Sequence, residues 1–227
     1  MNKLLLLLIL PVFLFAQKKE DTSKLRFGLL LQPEFTNIQL GASTTSISSQ
    51  SKWGSGLSIG GLIQLRLANR LYLRTEVTLG ERKYRFQETT STSITSIKDH
   101  EITLDAFDIS FGLSYDVLQY NNFSLGLNAG MSYSIFENML QRTQIFVSNS
   151  PTVLEVQEYN GAAPENNYSL ATYIALTAAY QLGKNTQLFL EPRFSFGIRD
   201  LQLDGLEGHR LQNLSAAIGI RFQLGMK

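Results

Sequence analysis

Two histidines and several runs of serine and threonine are the residues in this chain with the makings of nucleophilic chemistry. His100 follows Asp99, and His209 lies near the C-terminal end. A histidine oriented by a carboxylate, beside a hydroxyl, is the minimum for acyl transfer. Neither histidine sits in a recognisable motif, and Ser and Thr are so frequent around them that chance neighbours are expected. Two solvated loop histidines are the simpler reading. The chain has no cysteine, so thiolate metal sites and disulfides are excluded. A catalytic zinc would have only two imidazoles to draw on. No phosphate-binding glycine loop or calcium-loop pattern occurs. The expectation is a protein with no catalytic residues, no metal and no cofactor.

The charged residues are better organised. Arg26, Glu34, Arg66, Arg74, Glu76, Asp108, Glu191, Arg193, Arg199 and Arg221 each fall on the polar phase of a stretch that alternates polar and apolar residues. Arg74 with Glu76, and Glu191 with Arg193, are two apart, so each couple shares one face of a strand. Charges gathered on one face and removed from water must pair and hydrogen-bond. The chemistry this predicts is a network of ion pairs.

Eight alternating stretches would position these charges: 26–35, 56–67, 71–80, about 101–117, 123–135, about 168–182, 187–199 and 213–224. Their connectors alternate in length. Those at 68–70, 118–122 and 183–186 are tight, whereas 37–53, 87–100, 139–167 and 200–211 are long and polar. Each stretch reaches the roughly 9–11 residues that a tilted membrane strand needs. Short turns on one side, long loops on the other and an even strand count are expected of an outer-membrane barrel. A soluble β-sandwich also alternates, but it does not require that order of connectors. The predicted fold is therefore all-β: an eight-stranded antiparallel transmembrane β-barrel with short periplasmic turns, long extracellular loops and both termini in the periplasm. Phe27, Tyr115, Phe123, Tyr180 and Phe222 fall outward near the predicted periplasmic end, where an aromatic girdle is expected.

In such a barrel the charged face points inward. Eight strands leave an interior that side chains just fill, so the charges are expected to plug the lumen rather than line a pore. Pro33 and Pro192 fall within strands, facing outward. A bulge is expected near each, because proline cannot donate to the ladder. The Ser/Thr-rich loops, and 139–167 above all, are the expected recognition surface. Within 139–167 the segment QIFVSNSPTVLEVQEY is suited to extend the strands beyond the membrane. Trp53 is the lone tryptophan and is expected at the outer interface or in a loop contact.

The first sixteen residues read differently. Lys3 precedes an apolar run from Leu4 to Phe15, and Ala16 suits a cleavage site. The run is too short for a membrane helix. We expect a signal peptide over 1–16, a short periplasmic segment over 17–23 and the barrel over 24–227. Of 20 basic residues, loss of Lys3 leaves 19 against 19 acidic ones, a balance that gives no support to nucleic-acid binding.

The segments LYLRTEVTLGERKYRF, ITLDAFDISFGLSYDV and LEPRFSFGIRDL resemble the third, fourth and seventh strands of the PorT-like outer-membrane β-barrel domain family of Bacteroidetes. The resemblance covers residues 24–224. The ending Phe222 to Lys227 departs from the family's usual terminal aromatic. What the resemblance implies is fold and cell outer-membrane location, with a surface, scaffold or secretion-accessory role. The implied partners are outer-membrane lipid and lipopolysaccharide, the barrel-assembly machinery, and envelope or secretion-complex proteins. The alternatives are a lipid-modifying hydrolase using His100 or His209, and passage of solutes or small hydrophobic ligands.

Overall fold

The computed structural model describes residues 24–39, 47–90, 96–147, 153–162, 168–198, 201–203 and 206–224. The expected signal peptide and the segment 17–23 lie outside the described residues.

Eight antiparallel strands form a ring: β1 (Leu25–Gln39), β3 (Gly54–Ala68), β4 (Leu71–Thr90), β5 (Ser96–Tyr120), β6 (Phe123–Val147), β8 (Tyr168–Gln181), β9 (Thr186–Gly197) and β11 (Leu206–Leu224). The ring closes where β1 pairs with β11, from Leu25↔Leu224 to Gln39↔Arg210. Three short strands stand off it: β2 (Ile47–Lys52) on β4, β7 (Val153–Ala162) on β6, and β10 (Leu201–Leu203) on β11. At one end, two-residue turns join β3 to β4 and β5 to β6. Arg70 (φ 64°) and Asn121 (φ 50°) adopt the left-handed conformation that such turns require.

The faces are inverted relative to a soluble domain. Leu29, Ile59 and Ile174 on the outer wall are 66%, 64% and 65% exposed, whereas Gln64 and Glu191 inside are fully buried. This is the distribution a lipid-embedded wall with a polar interior produces. The apolar belt on β4 runs from Leu71 to Leu79, and its register partners on β5 run from Tyr115 to Phe107. Nine residues match the thickness that a tilted strand must cross.

Beyond that belt the structure corrects the sequence reading. Much of what reads as loop is strand. β4 and β5 stay paired from Gly80↔Ala106 out to Thr90↔Ser96, and β2 and β7 add a strand on either side of the β4–β5–β6 sheet. The physical reason is that alternation does not stop at the membrane edge. Arg82, Tyr84 and Phe86 are buried on the inner face, while Glu81 and Arg85 are exposed on the outer one. Tyr84, Phe86, Thr89, Thr90, Ile97, Ile102 and Thr103 are also residues that favour strands. At about 3.3 Å per residue the sheet stands roughly 30 Å clear of the belt.

No bulge occurs at the prolines. β8–β9 pairing stops at Ala175↔Arg193 and resumes at Ala178↔Leu190 in the same register. β1–β11 pairing likewise skips the step at Pro33 without a shift. The missing N–H leaves an unmade rung, and the strands on either side hold the alignment. A bulge does sit above the belt, between Leu104 and Ala106. There Asp105 faces two residues, Glu137 and Asn138, so the inward phase of β6 switches from even to odd positions.

Candidate functional site

The inner face builds a layered plug rather than a channel. In the middle tier, Arg74 on β4 meets Glu191 on β9 through two hydrogen bonds, Nη1 to Oε2 at 2.6 Å and Nη2 to Oε1 at 3.1 Å. β4 and β9 are four strands apart in a ring of eight, so this pair spans the barrel's full width. Arg193 answers from β9, donating through Nη2 to both oxygens of Glu76 at 2.7 Å and to Glu191 at 2.8 Å. Arg74 Nε also donates to Glu76. Thr177 and Asn128 donate to Glu191 Oε2 at 2.6 and 3.1 Å. The Arg193 guanidinium stacks 4.4 Å from the centre of the Tyr173 ring.

Toward the loop end a second tier centres on Arg82. Its Nε donates to Glu34 at 2.7 Å and its Nη2 to Asp108 at 2.6 Å. Ser58 and Asn213, each at 2.6 Å, complete the shell of Glu34. Toward the turn end a third tier pairs Arg26 with Asp116 at 2.8 Å and with the Tyr72 hydroxyl at 2.7 Å. Arg221 lies in this tier, donating to Gln187 at 2.5 Å and to Gln64 at 3.3 Å.

Apolar packing seals what the ion pairs leave. A cluster including Ile38, Tyr84, Phe86, Ile102, Leu104, Phe136 and Leu211 caps the lumen above the Arg82 tier. Leu30, Leu62, Ala179, Phe189 and Ala217 form a second cluster inside the belt. Glycine makes room for it: a Cβ on Gly219 would lie 2.6 Å from the Phe189 ring and 2.2 Å from the Leu29 carbonyl oxygen. Between the upper and middle tiers a polar chamber of about 40 Å³ is lined by Gln32, Thr78, Arg82, Asp108, Arg193 and Asn213, among others. Its volume suits about three waters.

The structure places Arg26, Glu34, Arg74, Glu76, Asp108, Glu191, Arg193 and Arg221 in the lumen, all buried. Arg66 is a correction. It sits at the turn end and donates to the Ala68 carbonyl at 3.3 Å and to Asn69 Oδ1 at 3.1 Å, because at the rim the turn offers acceptors in water. Arg199 lies outside the described residues. Two members of the network escaped the sequence reading, Arg82 and Asp116. The parity that marks Arg74 and Glu76 also marks Arg82, three inward positions further along β4, beyond the assumed strand end. Asp116 follows Ser114 by two on the same face.

The five girdle aromatics lie at the turn end. Phe27 packs against Phe222 with ring centres 5.3 Å apart and planes tilted by 31°, Phe123 is the register partner of Tyr180, and Tyr115 is that of Leu71. A groove of about 640 Å³ on the outer wall is lined by Leu127, Ile174, Leu176, Pro192, Phe194 and Leu214, among others. It lies beside the unmade rung at Pro192. Trp53 is half-exposed beyond the belt, between β2 and β3.

Neither histidine lies in a loop. His209 lies on β11, opposite Leu201. His100 stands on β5 above the belt, stacked on Phe86 with centres 4.4 Å apart. Its Nδ1 is 3.0 Å from Thr143 Oγ1 and its Nε2 is 3.6 Å from Glu88. Burial depresses the His100 pKa, and the Glu88 carboxylate works against that shift. Among the described residues no group of His, Asp and Glu is placed to hold a metal ion.

Solved structures that align with this chain include OprG from Pseudomonas aeruginosa, with TM-score 0.47 and 10% identity over 93% of this chain and all of that one. Neisserial surface protein A aligns with TM-score 0.43 and 15% identity, over 87% of this chain and 97% of that one. Ail of Yersinia pestis, solved with a heparin analogue, gives 0.42 and 11%, over 88% and 99%. No curated protein matches the chain. Residues 15–202 match the outer membrane protein beta-barrel domain family. With a closed ring, an apolar outer wall and that match over most of its length, the chain is an integral β-barrel of the cell outer membrane and belongs to the outer membrane protein beta-barrel domain family.

Proposed function

We propose that the protein is a non-conducting, non-enzymatic barrel of the PorT-like type, which anchors a surface or secretion-accessory scaffold in the membrane. The observation that carries this reading is the pair of salt bridges joining β4 to β9 across the whole lumen, Arg74–Glu191 and Arg193–Glu76. A pore cannot keep its widest span closed by side chains that are almost fully buried. The turn end, where β1 begins and β11 ends, faces the periplasm. The sheet β2–β4–β5–β6–β7 projects outside, where its outward face changes from Leu and Phe to charged ladders such as Arg85–Glu101 and Arg142–Glu158. That sheet is the surface on which envelope or secretion-complex proteins and lipopolysaccharide would be met.

Planar-bilayer recording of the purified, folded protein tests this function. The expected result is a quiet membrane, and stable conductance steps from pure protein would refute the plug. A hydrolase reading has one observation behind it, the Thr143–His100 contact, with Glu88 on the far side of the ring. An unchanged membrane lipid profile in cells carrying His100→Ala would remove it.

A further inference from the structure

The three tiers of the plug do not carry equal charge. The middle tier holds two arginines and two glutamates. The upper tier sets Arg82 against both Glu34 and Asp108. Among the described residues the lower tier holds one buried carboxylate, Asp116, which pairs with Arg26 and not with Arg221. Asp116 is already engaged by Arg26 and by Gln119, the latter at 3.0 Å. Glu191, in the tier above, is taken up by Arg74, Arg193, Thr177 and Asn128.

Arg221 is therefore a cation, 3% exposed, whose protein partners are two neutral amides, Gln187 and Gln64. No carboxylate among the described residues lies within 4.0 Å of it. Its Nη2 makes no hydrogen bond to a described residue. A second buried donor lies beside it. Gln64 is fully buried, its Oε1 faces Arg221, and its Nε2 has no protein acceptor. β1 runs between them: Arg221 is the register partner of Gly28, and Gln64 that of Arg26. A Cβ on Gly28 would lie 2.9 Å from the Arg221 Cβ. A buried charge with only neutral partners is costly, and a water molecule does not cancel it.

We infer that Arg221 and Gln64 form the binding site of a small monovalent anion of halide size at the turn end of the lumen. A buried guanidinium with only neutral partners, beside a buried amide N–H without an acceptor, points to an anion rather than a cation. The tight burial restricts it to a small one. Arg26, the register partner of Gln64 across β1–β3, adds positive potential without contributing a required contact.

Bromide is the probe. Crystals of the full chain soaked in bromide should show an anomalous peak within hydrogen-bonding reach of the Arg221 guanidinium and Gln64 Nε2. In detergent, the heat-unfolding midpoint should rise and saturate as bromide replaces gluconate at fixed ionic strength. At one hundred times its dissociation constant, bromide should shift the folding equilibrium by a factor of about 100. Arg221→Gln should abolish both signals. Gln64→Glu guards against a variant that fails to fold, because it supplies the missing carboxylate in place. It should fold, melt higher than the parent in gluconate, and ignore bromide. Bromide found only on exterior lysines, or equal bromide dependence in the parent and Gln64→Glu, would overturn the site.

Discussion

Glu191→Ala is the most informative perturbation of the plug. Glu191 is fully buried and accepts from Arg74, Arg193, Thr177 and Asn128. Its removal leaves two guanidiniums sharing Glu76 and unbalances the middle tier by one charge. Breaking a buried ion pair by deleting one partner costs about 3–5 kcal/mol, because the other partner stays buried and uncompensated. The folding equilibrium should then fall by a factor of about 10²–10⁴. The double variant Arg74→Met, Glu191→Leu removes both charges and restores apolar volume, so it should cost less than Glu191→Ala alone. The assay is urea unfolding in lipid vesicles, read by the gel shift between folded and heat-unfolded forms. A loss below about 1 kcal/mol for Glu191→Ala, the value of an exposed pair, would refute the reading that the crossbar charges are buried and depend on one another. So would a double variant costing as much as the sum of its singles.

Other consequences are open to direct test. Phe189→Ala removes the largest member of the apolar cluster inside the belt, so urea unfolding should show a loss of about 3–5 kcal/mol. His100 titrates below its usual value of about 6.5 because it is buried. Its neutral form is the one the fold prefers, so its contribution is complete above pH 6.5 and is lost as pH falls through the lower folded-state value. Stability should drop more between pH 8 and pH 5 in the parent than in His100→Gln, and equal drops would show that Glu88 offsets the burial.

How far the sequence could be read follows from period two. Alternation marks both faces of every strand, so Arg74, Glu76, Glu191 and Arg193 could be placed inside together. It does not say which wall faces which. That β4 meets β9 across the lumen depends on strand order and stagger, which the ring alone supplies. Alternation also carries no mark of where lipid ends. A strand read from the apolar phase of β4 therefore ends at Gly80, and Arg82, the centre of the upper tier, falls beyond it. The prolines misled for a related reason. A missing donor is visible in the sequence, but whether neighbouring strands absorb it is a property of the sheet. Arg66 has the right parity and the wrong height, two residues from a turn whose carbonyls it can reach.

Why the lumen should be charged at all, when an apolar filling would be cheaper to bury, has an answer in register. An apolar interior would leave each strand apolar on both faces, and sliding by one residue would cost little. With the charges in place, a one-residue slip of β4 would turn Arg74 and Glu76 out into lipid and bring Leu73 and Thr75 inside. An arginine at the middle of the bilayer costs about 2–4 kcal/mol, before the lost partners are counted. The same slip in β9 would expose Glu191 and Arg193. Each mispairing is thus penalised several times over by residues that contribute little net stability when correctly paired. Pro33 and Pro192 fit this account, since a rung can be lost at each without a shift because the charges beside them, Glu34 on one and Glu191 and Arg193 on the other, already hold the alignment.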